Sequence, residues 1–258
     1  MQNKFSYIIT HRGKDGYRLE NLKAILKWIK KFKEHNIEII IVEQDIDKVD
    51  GLDADIIHVL AYNPGIFSRS WGFNVGAKIA TGNILIFGDT DVVHTYEQFN
   101  LFLHKFSDKF KAYDVVAPYN NKVIFLDSNE SEQFRENLSI VTDKLPGEGS
   151  SPMMGGIVAM TSECFLKSGG WDEYFVGWGG EDCAYREHLR ALGAKMHRDT
   201  NQGYHIYHER DKEKKSDYKK MHDTNRKYYF SVYLKKDKNF IEKNRSKNEA
   251  IGNPDKYR

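Results

Sequence analysis

The chain has 258 residues, 40% apolar and 29% charged, long enough to bury a sizeable core in one large α/β domain or two small ones. Its net charge of +2 makes no global electrostatic case for a nucleic-acid partner, and no apolar run approaches the ~20 residues of a membrane-spanning helix. Two cysteines, Cys164 and Cys183, are too few for a disulfide framework or a zinc cluster and fit a reducing compartment.

Met1 to Thr10 carries one lysine and a short apolar strand rather than a signal peptide, so a cytoplasmic protein is expected. Phe5 to Thr10 reads as a buried strand. Leu19, Leu22, Ile25, Leu26, Ile29 and Phe32 recur at helical spacing and predict a helix whose stripe is core packing. Ile37 to Val42 is a second strand, ending at Glu43-Gln44-Asp45. Ser70 to Ala80 reads as a helix with Ser68 or Ser70 as its cap, stopped by Thr81-Gly82-Asn83. Ile84 to Gly88 is a third strand, ending at Asp89-Thr90-Asp91. Tyr96 to Phe110 is an amphipathic helix and Val115 to Ala117 a short strand. Val123 to Leu126 fits one more strand, the polar stretch after it has no strand period, and Pro146 to Pro152 reads as a flexible loop. Glu181 and Asp182 open a helix over Cys183 to Leu192. The basic residues between Lys212 and Lys247 read as a solvated helix face and a frayed tail.

Strands alternating with helices predict a mostly parallel sheet covered on both faces. Ligands of such sheets collect at the carboxyl ends of the strands. The polar ends Thr10-His11-Arg12, Glu43-Gln44-Asp45 and Asp89-Thr90-Asp91 therefore converge on one crevice.

Four constellations carry chemistry. In the run Gly170 to Asp182, glycines allow close backbone approach, Trp171 and Trp178 offer flat faces for a sugar ring, and Glu181 and Asp182 follow. A carboxylate at that rim can act as a general base, although acidic residues in a first turn also stabilise a helix with no chemistry. Asp89 and Asp91 at a strand end can hold a divalent cation and a ligand hydroxyl together. His205 and His208 point to opposite faces of a straight strand and can share a metal only across a turn; with Asp91 they form a donor set for Mn²⁺. Arg69 has the planar fork that suits a phosphate, and Gly155-Gly156 can let backbone approach a ligand.

Taken in order, Ile8 to Arg12, Phe67 to Gly76, Asp89-Thr90-Asp91, Gly155-Gly156, Trp178-Gly179-Gly180-Glu181-Asp182 and His205 to Asp211 resemble the β-1,4-galactosyltransferases and related N-acetylgalactosaminyltransferases. These are nucleotide-sugar glycosyltransferases of the GT-A fold. The resemblance spans roughly residues 5 to 211, and its tryptophan-glycine-glutamate-aspartate run is the most specific part. It implies a single Rossmann-like catalytic domain over 1–211, with a donor half to about 117 and an acceptor half from about 118. A basic helical extension over 212–258 follows.

The resemblance also implies roles. Arg12 and Arg69 lie along uridine diphosphate, His11 and Glu43 frame the uridine, Asp89 contacts donor hydroxyls, and Gly156 lines the donor site. Asp91, His205 and His208 ligate Mn²⁺. His205 stands where the vertebrate enzymes carry methionine, a harder ligand that opens the preference towards Mg²⁺. Trp178 sits on a mobile loop over donor and acceptor, Glu181 binds acceptor, and Asp182 is the base of an inverting displacement. Cys183 replaces a further acidic residue, so the acceptor need not be N-acetylglucosamine. Met153 replaces an aromatic that excludes N-acetyl donors, so UDP-GalNAc joins UDP-Gal and UDP-Glc as a candidate. The competing readings are a degenerate sugar-binding module without turnover and a metal-dependent phosphohydrolase. The joint presence of Asp91, His208 and Asp182 favours the transferase.

Overall fold

The first apolar run becomes β1 (Lys4–His11), buried almost throughout between two parallel neighbours. A strand covered on both faces needs a near-continuous apolar run rather than strict alternation. The computed structural model describes residues 3–14, 16–109, 112–147, 153–209, 215–246 and 251–258. After β1 come α1 (Gly16–Ile29), β2 (Asn36–Glu43), β3 (Ile57–Leu60), α2 (Arg69–Ile79), β4 (Ile84–Gly88), β5 (Val92–Val93) and α3 (Tyr96–Lys109). Then follow β6 (Val115–Ala117), β7 (Val123–Phe125), α4 (Ser128–Asn137), β8 (Ile157–Thr161), α5 (Ser162–Ser168) and α6 (Glu181–Ala191). The chain finishes with β9 (Met196–Arg198), β10 (Gly203–His205), α7 (Lys215–Val232) and α8 (Lys238–Asn244).

Among the described residues, seven strands form one mixed sheet in the order β3-β2-β1-β4-β8-β6-β9. β3, β2, β1 and β4 are parallel, β8 runs antiparallel to β4 and β6, and β9 pairs parallel with β6. This is the expected α/β architecture. A smaller sheet, β5-β10-β7, sits beyond the end of β4. Alternate residues of the central strands feed two cores. Tyr7, Ile9, Ile41 and Ile86 join Trp28, Phe32 and Phe99 on one face. Ile8, Ile40, Val42 and Phe87 join Trp71, Phe73 and Trp171 on the other. α2 presses so closely on β1 that a Cβ at Gly72 would collide with the Thr10 side chain.

Several expectations need correction. The α1 stripe extends to Phe32, yet the helix ends at Ile29; Phe32 lies in the following turn and stays buried through aromatic contacts with Trp28 and Phe99. The polar stretch after β7 is α4, capped by a box in which Asp127 and Glu130 satisfy each other's backbone N–H groups. The N-cap of α2 is Ser68, which accepts from the Trp71 N–H. Residues 148–152 of the expected loop lie outside the described residues, as do Arg210, Asp211, Lys212, Lys214 and Lys247.

The basic segment from Lys215 onward docks on the domain instead of trailing from it. Phe175 and Ala184 share an apolar cluster with Val232, Tyr233 and Ile241. Asp172 accepts hydrogen bonds from Tyr228 and Tyr233, the Asn253 carbonyl accepts from the Trp71 indole, and the Gly252 N–H donates to Glu173.

Candidate active site

Asp91 follows β4, and its backbone carbonyl accepts from the Ile206 N–H at 2.7 Å just past the end of β10. β10 ends at His205, and the next residues leave the strand. The opposite-face arrangement of a straight strand is thereby broken, and both imidazoles reach one carboxylate. Asp91 Oδ2 lies 3.3 Å from His208 Nε2 and 3.8 Å from His205 Nε2, and the three donors lie within 4.8 Å of one another. Burial alone would raise the Asp91 carboxyl, but the His208 hydrogen bond and the charges of both histidines hold it below the usual carboxylate range. The same hydrogen bond raises the His208 imidazole. One carboxylate and two imidazoles form a borderline donor set that fits Mn²⁺.

Two residues upstream, Asp89 belongs to a second group of charges. Arg69, in the first turn of α2, donates to Asp89 at 2.6 and 3.2 Å, to Asp182 at 2.5 Å and to the Met154 carbonyl at 3.2 Å. Its guanidinium also stands 4.6 Å from the Phe73 ring centre and 5.3 Å from that of Trp171. Asp89 and Gly156 exchange hydrogen bonds, one to the Asp89 carboxylate and one from its N–H. Burial pushes the Asp89 carboxyl up to about 6, against the pull of Arg69. Burial, with the charge of Asp182, pushes Glu181 up to about 8, which favours its protonated, hydrogen-bond-donating form.

The two tryptophans of the glycine-rich run part company. Trp171 is fully buried beneath Arg69, so the sugar-facing role expected for it is corrected to core support. Its backbone N–H donates to the Asn74 amide oxygen, and the Asn74 amide nitrogen donates to Glu173. Trp178 is 63% exposed and stacks on His222 of α7, with ring centres 4.8 Å apart. Asn225 of α7 donates to the Val176 and Trp178 carbonyls. Gly180 enters α6 at φ 93°, a conformation that favours glycine, and brings Glu181 and Asp182 to the mouth of the site.

On the other side of the crevice, His11 is buried, with Nε2 2.7 Å from the Gly13 carbonyl, and burial lowers its pKa. Arg12 donates to the Gln44, Asn63 and Gly65 carbonyls, so its fork ties two loops together. Glu43 accepts from Val49 N–H and His58 through Oε2, while its buried Oε1 has no hydrogen-bond partner. Sequence reasoning missed Gln44. Its buried amide bonds Thr10, Ser68 and Asn63, joining the ends of β1 and β2 to the cap of α2. A polar residue right after a buried strand was the only local signal. Asn74, inside a helix, gave none.

The model of the N-terminal domain of galactosyltransferase matches residues 137–209, the segment that carries Trp178, Glu181, Asp182, His205 and His208. No curated protein matches the chain in sequence. The catalytic domain of Drosophila β1,4-galactosyltransferase 7, solved with xylobiose, superposes with a TM-score of 0.55 at 17% identity, covering 85% of this chain and 79% of that one. A second structure of that enzyme, a mutant with manganese, UDP-Gal and xylobiose, gives 0.55 at 15% identity, covering 96% and 82%. Glucosyl-3-phosphoglycerate synthase from Mycobacterium tuberculosis, solved with Mn²⁺, UDP and phosphoglyceric acid, gives 0.54 at 11% identity, covering 90% and 80%. Likeness at these identities speaks for the fold, and the matched segment speaks for the sequence pattern set in it. The chain has the GT-A glycosyltransferase fold, and its segment 137–209 matches the galactosyltransferase family model.

Proposed function

We propose that this protein transfers a hexose or N-acetylhexosamine from UDP-Gal, UDP-GalNAc or UDP-Glc to a hydroxyl of a saccharide or glycoconjugate, with inversion at the anomeric carbon. The observation that carries the reading is the pairing of two devices two residues apart. Asp91, His205 and His208 converge as a metal-type donor set, and Asp89 is linked through Arg69 to Asp182. A lectin needs no carboxylate base beside a metal set. The Drosophila and Mycobacterium structures that share the fold were solved with Mn²⁺ and a uridine nucleotide, which favours the same donor class here.

Asp91, His205 and His208 would hold Mn²⁺, with Mg²⁺ the second choice; the ion would supply positive charge opposite the departing diphosphate. The protein's own groups do the rest. Asp182 takes the proton from the acceptor hydroxyl as that oxygen attacks, while Arg69 supplies the counter-charge. Arg69 meets the donor from within its carboxylate network. Neutral Glu181 donates a hydrogen bond to the acceptor. Trp178 covers donor and acceptor and keeps water out. Glu43 Oε1, buried without a partner, is suited to an N–H of the uracil ring, with His11 beside it and Arg12 holding the loops that line the pocket.

The test is UDP release from each UDP-sugar, with Mn²⁺ and with chelator, with and without added saccharides. Metal-dependent release from one donor, accelerated by an acceptor, is expected. Asp182→Asn should keep donor affinity and lose about 10² to 10⁴-fold in turnover. Normal turnover in that variant would remove Asp182 from the base role. Asp91→Ala should abolish Mn²⁺-dependent donor affinity in calorimetry.

A further inference from the structure

A second group of metal-type donors lies at the opposite end of the sheet from the crevice. β2 begins at Asn36 and ends at Glu43, so its length, roughly 23 Å, separates the two ends. Just before β2, the chain makes a tight turn in which the His35 N–H bonds the Phe32 carbonyl and the Ile37 N–H bonds the His35 carbonyl. Across from this turn, α3 presents Tyr96, Asn100 and His104, spaced four apart and therefore on one face. Each rung meets the turn. The Tyr96 hydroxyl donates to Glu34 at 3.1 Å, His35 Nε2 lies 2.8 Å from Asn100 Oδ1, and the rings of His35 and His104 have centres 4.6 Å apart.

One oxygen of Glu34 and one nitrogen each of His35 and His104 lie within 4.8 Å of one another. The frame is stiff. Phe32 stacks on Tyr96 at 4.9 Å and packs edge-on to Phe99 at 5.1 Å, and Phe5 meets His35 edge-on at 6.1 Å. Small side-chain adjustments would therefore bring three donors onto one ion without moving backbone. The Glu34 carboxyl is held below its usual range by its own backbone N–H, then by Tyr96 and the two imidazoles, so it is ionised. Asn100 holds the His35 ring through Nε2, which leaves Nδ1 free to ligate or requires Nε2 to exchange Asn100 for the ion.

We propose that Glu34, His35 and His104 form a second divalent-metal site, independent of Asp91, that takes Zn²⁺ or a similar borderline transition ion and clamps α3 to the turn before β2. Two imidazoles and one carboxylate, the same donor types as at Asp91, suit a borderline transition ion such as Zn²⁺. Nothing in this inference depends on the transfer reaction, and its failure would leave the reading of the crevice intact.

The experiment titrates Zn²⁺ alone into the full chain by calorimetry, with Co²⁺ absorption as a second readout of coordination. The wild type should bind two equivalents. Asp91→Ala/His208→Ala should keep one, and its Tm should rise when Zn²⁺ is added. Adding His104→Ala or the isosteric Glu34→Gln to that chain should abolish both effects. His104→Ala alone should bind one equivalent and retain Mn²⁺-dependent UDP release. An Asp91→Ala/His208→Ala chain that binds none would overturn the site. So would a His104→Ala or Glu34→Gln chain that binds as many equivalents as its parent. If the double variant does not fold, the count for His104→Ala against wild type decides alone.

Discussion

Arg69 and Glu181 show how individual residues set the chemistry of the crevice. Arg69 is nearly buried and is the cation paired to both Asp89 and Asp182. Arg69→Met would leave two partly buried carboxylates uncompensated and should destabilise the fold by less than breaking a fully buried pair, which costs about 3–5 kcal/mol. Urea denaturation should show the loss larger at about pH 8 than at about pH 5, because Asp89 ionises as pH rises through about 6; an equal loss at both would refute the counter-charge role. Glu181 gives the complementary case. Its pKa rises from 4.5 in the unfolded chain to about 8 in the folded one, so between those values the folded chain binds the extra proton. Its contribution is thus fully favourable below 4.5 and is lost as pH climbs through about 8. Glu181→Gln should therefore gain in Tm on wild type as pH goes from about 5 to about 9. A gap that stays constant would mean that Glu181 is already ionised. Glu181→Gln should also retain acceptor binding above pH 8 better than wild type, since an amide keeps its donor.

At the scale of elements, α4 reaches the metal-type cluster without touching it. The Ser131 hydroxyl accepts from the Tyr207 N–H at 2.8 Å, and this fixes the turn between His205 and His208. Asp127→Ala removes the cap of α4 and should lower the midpoint of urea denaturation. Ser131→Ala should change stability less but weaken Mn²⁺-dependent donor binding severalfold; unchanged affinity would show that the turn holds itself. The capping box was present in the sequence as Asp127 and Glu130, but with few apolar residues behind it, the helix was not legible. By contrast, β1, β2 and β4 were legible because burial on both faces demands apolar runs. β3 and β9 were missed because neither contains a buried residue, so nothing demands an apolar run there. In the site, Asp89, Asp91, His205, His208 and Asp182 could be named from motif order. The network that Arg69 makes could not, since it joins residues 20 and 113 positions apart. The fate of Trp171 was equally hidden, because a glycine-rich run does not say which of its aromatics turns inward.

For the molecule as a whole, the C-terminal segment is part of the domain. The Asn253 carbonyl caps the Trp71 indole, Lys256 pairs with Glu173, and α7 supports the Trp178 loop. A chain ending at 214 should lose cooperative unfolding by circular dichroism and expose apolar surface to a hydrophobic dye. A sharp, wild-type-like transition would show that the remainder folds alone. The contact between Trp71 and Asn253 also bears on biosynthesis. Until the C-terminal segment has emerged and docked, the strands that flank Asp89 and Asp91 can pair, but the indole has no carbonyl to meet and the Trp178 loop has no wall. The nascent protein therefore stays partly open, exposed to chaperones and proteases, until that segment has closed over the crevice.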